Sequence, residues 1–497
     1  LNNISISNNR LIIVSNRLPI ILEKRADNKW DIKPGTGGLV TAMAPVLKNR
    51  GGLWIGWPGN ILRNQKAMDG ILHEHKKEIG FNLKAINLSV KEKEYFYKGF
   101  SNEIIWPLFH DFIAHCNFNP VFWHYYKKVN KKFVDIITRF AHPDDFIWIH
   151  DYHLFLVANG LRKAGLYNTL GFFLHIPFPP PDIFIRLPWR IQILQALLDY
   201  NLIGFQTQRD RRNFIQCLRT FIKEIKMLGK GQVISLNIQD KHIRLGVFPI
   251  SIDYEEFSHL ANSQQVAEAA WYIHENFPDR KIIFGIDRLD YTKGIPERLK
   301  AFRNALRRYP DLHKKVTFIQ VVVPSRREIS KYETLKIEIE RLIGEINGEF
   351  TQMGWVPLQY LFRSLTREEL IAYYRTSEIL FLTPLKDGMN LVAKEYCASN
   401  SDEEGILILS EFAGTAAQFQ KNVLLVNPHD IEGMADAIHK ACHMTHETRK
   451  GKMKRMRQNV RKFNIFWWVD SFLSAAIAKN LQNFPLVEES MPYENIW

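Results

Sequence analysis

Ten residues, GIDRLDYTKG at 285–294, crowd Arg288, Lys293 and two aspartates between an apolar run, KIIFGI, and a helical pattern with Pro296 at its start. Two fixed cations beside a helix start favour an anion, because unpaired amides and the helix dipole add to their charge. A diphosphate would suit such a turn. The alternative, on these residues alone, is a surface turn in which Asp287 and Asp290 pair with the two cations. A second stretch, PLKDGMNLVAKEY, sets Asp387 in a turn ahead of a helix opened by the amides of Met389, Asn390 and Leu391. Leu391 and Glu395 then stand one helical turn apart. Carboxylates at Asp387 and Glu395 suit sugar and ribose hydroxyls; a capping aspartate and a surface glutamate are the plainer reading.

Other loops carry related chemistry. VSNRLPI places Arg17 directly after an apolar run, and VVVPSRREI places Arg326 after another. PGTGGLVTAMAPV puts Gly35, Gly37 and Gly38 ahead of a helical pattern, so backbone can approach a ligand closely. It is neither GxGxxG nor a Walker sequence, which disfavours a hydride-transfer enzyme or a P-loop ATPase. FIWIHDYHL gathers His150, Asp151, Tyr152 and His153 at the end of a run. Extended backbone points such neighbours apart, so a metal is disfavoured there, and a polar pocket wall is the better reading. In LGFFLHIPFPPP, His175 precedes a rigid proline run, where it either donates a hydrogen bond or serves as a satisfied structural histidine.

These loops need elements to hold them. LIIVSN, FIWIH, LGFFLH, LIGFQ, KIIFGI, VTFIQVVV, ILFLTP and GILILS are short, branched or aromatic runs that read as buried strands. Between them lie amphipathic stretches such as LVTAMAPVL, apolar at Leu39, Ala42, Met43 and Val46. The alternation predicts an α/β protein of doubly wound parallel sheets, with ligands at the carboxyl ends of strands. A chain of 497 residues exceeds one core, and a hinge near 248–255 is expected at GVFPISIDYEEF.

Composition is that of a globular protein, with 46% hydrophobic and 24% charged residues. The net charge of +14 invites an anionic partner, but no nucleic-acid module accompanies it, and RKGKMKRMRQNVRK reads as a solvated helix face. Four scattered cysteines form no ligand or disulfide pattern. No run reaches the roughly 18–20 apolar residues of a membrane span, and the opening LNNISISNNR has no signal-peptide pattern. A cytoplasmic protein without membrane or nucleic-acid partners is expected.

Taken in order, VSNR, GGLWIGWPG, IIWPLFH, WIHDYHL, GFFLHIPFP, GFQT, DRLDYTKG, INGEF, PLKDGMNLVAKEY and SEFAG resemble the trehalose-6-phosphate synthase family over nearly the whole chain. The resemblance implies a GT-B architecture: residues 1–250 as an acceptor-binding Rossmann-like domain, 251–464 as a nucleotide-sugar domain, and 465–497 packing back on the first. It implies retaining transfer of glucose from a nucleotide-glucose, UDP-glucose foremost, to glucose 6-phosphate. Arg288 and Lys293 would hold the diphosphate; Asp387, Met389, Asn390 and Leu391 the donor glucose; Glu395 the ribose; and His175 the donor sugar. Gly38 would let a loop close, while Arg17 and Arg326 grip the acceptor phosphate beside Trp57, Trp123 and Asp151. Neither a cofactor nor a tightly bound metal is implied. The partners are small-molecule substrates, a homo-oligomer is compatible, and a separate phosphatase would act on the product. One position departs: after IIWPLFH the family usually has a tyrosine near the acceptor phosphate, and here stands Asp111. That keeps glucosylglycerol-phosphate synthesis, pseudo-glycosyl transfer and a silent sugar-phosphate-binding regulator as alternatives.

Overall fold

The computed structural model describes residues 10–24, 30–35, 38–60, 65–74, 79–222, 224–238, 240–325 and 330–478. The chain forms two compact units, one running to Pro249 and rejoined from Phe466, the other spanning Ile250–Ile465. Strands of the first unit are β1 (Leu11–Arg17), β2 (Ile20–Lys24), β3 (Trp30–Pro34), β4 (Leu53–Trp57), β5 (Asn82–Ala85), β6 (Phe146–His150), β7 (Thr169–Phe173), β8 (Leu202–Phe205), β9 (Ile225–Leu228), β10 (Val233–Ile238) and β11 (Lys241–Val247).

Nine of these make one sheet in the order β5, β4, β1, β6, β7, β8, β11, β10, β9, and β2 pairs with β3 apart from it. Neighbours are parallel except where β10 runs antiparallel to β9 and β11. The strand order reverses direction between β1 and β6, so a crevice opens at their carboxyl ends. Arg17 and the His150–Asp151 pair stand there. The closing helix Ile465–Ile477 joins this unit through aromatic packing: Phe472 stacks on Trp148 at 4.2 Å and Trp468 donates from Nε1 to the Phe248 carbonyl at 3.1 Å.

The second unit holds β12 (Lys281–Arg288), β13 (Val316–Val323), β14 (Leu358–Leu361), β15 (Ile379–Leu382), β16 (Ile406–Ser410) and β17 (Leu424–Val426) in one parallel sheet, ordered β14, β13, β12, β15, β16, β17. Alternation along each strand serves two faces. Ile283, Phe318, Phe381 and Ile408 pack with helices Ile295–Arg308, Ser330–Phe350 and Ile431–Cys442, whereas Ile282, Phe284, Leu380 and Leu407 pack with Arg367–Thr376, Leu391–Ser399 and His446–Lys462. The switch point falls between β12 and β15, which brings the loops after them together.

The eight runs expected to be strands are strands. Unforeseen were β2, β3, β4, β5, β9, β10, β14 and β17, and a stretch of wide turns at Lys93–Ile105, with the Trp106 amide bonding to the Ser101 carbonyl. No helix among the described residues is long and apolar enough to cross a membrane.

Candidate active site

In the second unit the site begins where β12 runs out. Arg288, its last residue, is exposed, and its side chain makes no hydrogen bond or ion pair among the described residues. The expected alternative, local pairing of the two aspartates with Arg288 and Lys293, is not what forms. Asp287 turns inward to Arg298 Nη2 at 2.6 Å, Asp290 accepts from the amide and hydroxyl of Thr292 at 3.0 and 2.9 Å, and Lys293 Nζ reaches Asp387 Oδ2 at 2.5 Å. Among the described residues Arg288 is thereby left as a cation with no anion of its own.

The turn is held rigidly. Gly294 has φ +61°, and a Cβ there would come within 2.1 Å of the Thr383 carbonyl, so no other residue fits. Thr383 donates back to the Gly294 carbonyl at 2.9 Å, and the Leu385 amide donates to the Thr292 carbonyl at 2.8 Å. Beneath both loops lies Arg298, fully buried, donating to Thr383 Oγ1 and Gln320 Oε1, each at 3.1 Å, besides Asp287. Burial pushes the Asp287 carboxyl up, against the lowering influence of Arg298 and Lys293.

The second loop is fastened from the far side. Asn390 caps the helix Leu391–Ser399 by accepting from the Ala393 amide at 3.2 Å, and its own amide group donates to Asp387 Oδ2 at 3.3 Å. Its φ of +77° is a conformation asparagine tolerates better than most residues. Thr415 braces the Met389 carbonyl from its amide and its hydroxyl, at 2.8 and 2.5 Å. Leu391 and Glu395 follow on one face of the helix. Glu395 accepts from the Tyr374 hydroxyl at 2.9 Å, and burial raises its pKa.

In the first unit Arg17 lies over the Trp57 ring, 4.8 Å from its centroid, at the ends of β1 and β4. Gly38 opens the helix Gly38–Arg50. Both tryptophans are nearly closed off: Trp57 is packed against Tyr97, and Trp123 between Tyr126 and Trp189. They can back a pocket but offer little open face. Asp151, at φ +74°, accepts from the His175 amide through Oδ1 at 3.3 Å and ties the ends of β6 and β7. Asp111 is exposed and left-handed, with φ +67°. Arg326 lies outside the described residues.

His175 has a partner that sequence reasoning did not assign. Its Nε2 sits 3.2 Å from His150 Nδ1. His150 Nε2 is buried and finds no hydrogen-bond partner among the described residues. An orphaned N–H is the costlier defect, so the His150 proton belongs on Nδ1, donated to His175. His175 then accepts at Nε2 and carries its proton on Nδ1, a neutral donor. Burial brings its pKa down to about 3, and that of His150 well below its usual range.

A pH dependence follows. Unfolded imidazoles take protons below about 6.5, while burial makes His175 resist until about 3 and holds His150 well below its usual range. The unfolded chain therefore binds more protons in that window, and stability falls as pH drops through it, by up to about 1.4 kcal/mol per pH unit for each extra proton. Denaturant midpoints between pH 4 and 7 should show this, and His150→Phe should flatten the slope; an unchanged slope would contradict the assignment.

Known proteins can now be set beside this geometry. The sequence pattern of glycosyltransferase family 20 matches residues 9–478. The trehalose-6-phosphate synthase of Mycobacterium bovis is 40% identical over 473 residues, covering 93% of this chain and 94% of its own. A UDP-forming alpha,alpha-trehalose-phosphate synthase from Burkholderia xenovorans, solved with glucose-6-phosphate, superposes with a TM-score of 0.84 at 32% identity, covering 94% of this chain and 99% of the other. The E. coli protein solved with UDP-2-fluoro glucose gives 0.84 at 35% identity, with 94% and 98% covered.

Proposed function

Because the chain belongs to glycosyltransferase family 20, we infer that it is a retaining glycosyltransferase that moves glucose from UDP-glucose to glucose 6-phosphate, giving trehalose 6-phosphate and UDP. One observation carries the donor half: at the switch point of the second sheet Arg288, with no ion-pair partner among the described residues, stands in the same strand-to-helix turn as Lys293, whose ammonium is fixed by Asp387.

The anomeric C–O bond breaks toward an oxocarbenium-like state while charge grows on the departing diphosphate. Arg288 and Lys293 meet that charge more strongly in the transition state than in the ground state, which is what lowers the barrier. Asp387, held by Lys293 and Asn390, accepts from glucose hydroxyls beside the amides of Met389 to Leu391, and Glu395 accepts from the ribose. The acceptor hydroxyl attacks from the face the leaving group quits, and a phosphate oxygen takes its proton, so no protein nucleophile is needed. His175 supplies a neutral N–H to the donor sugar. Arg17 and Arg326 are assigned to the acceptor phosphate, with Trp57, Trp123 and Asp151 around the acceptor, and Gly38 to the loop that closes.

Turnover in this scheme needs no tightly bound metal, since the two cations neutralise the diphosphate. We place the enzyme in the cytoplasm on the ground of its four free thiols, three of them buried. Its product is a phosphate monoester suited to a separate phosphatase.

The test is product identity by mass spectrometry, offering UDP-glucose or ADP-glucose with glucose 6-phosphate or glycerol 3-phosphate. A disaccharide phosphate from UDP-glucose and glucose 6-phosphate is expected. Product with glycerol 3-phosphate alone would overturn the acceptor and mark Asp111 as part of a rebuilt pocket.

A further inference from the structure

A second cluster of chemistry lies in the second unit, away from the loops described above. His439 and His443 stand one turn apart, His439 on the helix Ile431–Cys442 and His443 as its C-terminal cap, and Asp311 comes from the short turn Pro310–Leu312. Asp311 Oδ2 is 3.3 Å from His439 Nε2 and 3.2 Å from His443 Nε2, and all three ligand atoms lie within 4.8 Å of one another.

We propose that Asp311, His439 and His443 form a binding site for a divalent transition-metal ion of the zinc class. Around a tetrahedral ion with bonds of about 2.0–2.1 Å, neighbouring ligand atoms stand roughly 3.3 Å apart. Both carboxylate–imidazole edges have that length. The imidazoles are also oriented. His443 Nδ1 lies 2.9 Å from the His439 carbonyl, which can only accept, so the Nδ1 proton is fixed and Nε2 turns its lone pair toward Asp311. With His443 neutral, an Nε2 lone pair facing a carboxylate oxygen at 3.2 Å calls for a cation between them, which a metal ion supplies in place of a proton. The His439 ring stacks on Tyr309 at 4.0 Å, and Tyr309 is tethered by its hydroxyl to Asp436 Oδ1 at 2.6 Å. Two imidazoles and one carboxylate suit zinc, cobalt(II) or nickel(II) rather than calcium or magnesium.

The site is structural. Lys281 Nζ, at the first residue of β12, bonds the Cys442 carbonyl, so the cluster flanks the amino end of the sheet. Arg288 closes the same strand, about 23 Å away along eight extended residues. A bound ion would pin the end of one helix to the turn after another, across 128 residues of chain (439 − 311).

The experiment is calorimetric titration of the metal-stripped full-length protein with zinc chloride, repeated with cobalt(II) to read ligand-field bands. One equivalent should bind with a micromolar Kd or tighter, raise Tm, and leave turnover unchanged. His443→Ala and Asp311→Asn, both at exposed positions, should each weaken that equivalent by at least about 100-fold, the upper end for loss of even an outer partner. Undiminished binding in both variants would put the ion elsewhere among the 17 histidines and overturn the site, as would a Kd weaker than about 100 µM in the parent protein. Loss of turnover on stripping the metal would overturn its structural assignment.

Discussion

Arg288→Ala should lower kcat/KM by about 10²–10³-fold, the usual cost of removing one preorganised group that meets developing charge, with no shift in Tm. The two halves of that result have separate causes. The guanidinium belongs to an exposed residue and makes no hydrogen bond or ion pair among the described residues, so the described fold loses no contact with it. The leaving diphosphate loses a planar donor pair. Most of the deficit should sit in kcat, because the negative charge is larger in the transition state than in bound UDP-glucose. Arg288→Lys should recover only part, since an ammonium keeps the charge and forfeits the two-pronged geometry. Steady-state kinetics with a thermal melt decide the matter. Near-normal turnover would remove Arg288 from the diphosphate site, and a lowered Tm would show that its side chain is tied into the fold after all. Lys293→Ala is the less clean probe, because it also strips Asp387 of its counter-ion at 2.5 Å.

The legibility of this site in the sequence was uneven for physical reasons. Arg288, Lys293 and Asp387 were readable because they lie at the end of an apolar run or in the loop after one, where a parallel sheet places its carboxyl edge, and Glu395 because it stands one turn after Leu391 in the helix that such a loop opens. The pairing among them was not readable. Lys293 finds its partner 94 residues away, and Asp287 in β12 finds Arg298 11 residues on in the helix that follows, contacts that only the folded turn creates. A signal for Arg298 did exist: it falls on the apolar face with Ile295, Leu299 and Phe302, and a cation there must be buried with a partner. The His150–His175 contact joins adjacent strands, and a strand order is needed to see it. Short outer strands such as Leu358–Leu361 and Leu424–Val426 carried too few apolar residues to stand out. His439 and His443 had the i, i+4 spacing of ligands, but Asp311 completes them only through the fold.

Arg298→Met should be the counterpart of Arg288→Ala, costing about 3–5 kcal/mol of stability, the range for breaking a buried ion pair from one side. The side chain is fully buried and bonds Asp287, Gln320 and Thr383 at once. Methionine fills the volume and satisfies none of them. The largest part of the penalty belongs to Asp287, left as a buried carboxylate without its guanidinium. That assignment has a pH signature. Burial already pushes the Asp287 carboxyl up, and Arg298 opposes it; without Arg298 the folded carboxyl rises further above its unfolded value. The folded variant then binds more protons than the unfolded chain, so its stability falls as pH rises. The deficit against the parent protein should shrink as pH is lowered from 7 toward 5. Asp287→Asn in the Arg298→Met background should recover part of the loss at pH 7, with a coupling energy of the same sign. Denaturant unfolding of the four proteins gives all these quantities. A deficit below about 1 kcal/mol, or one that grows on acidification, would mean that the loop is held by its backbone contacts and that Arg298 contributes only packing.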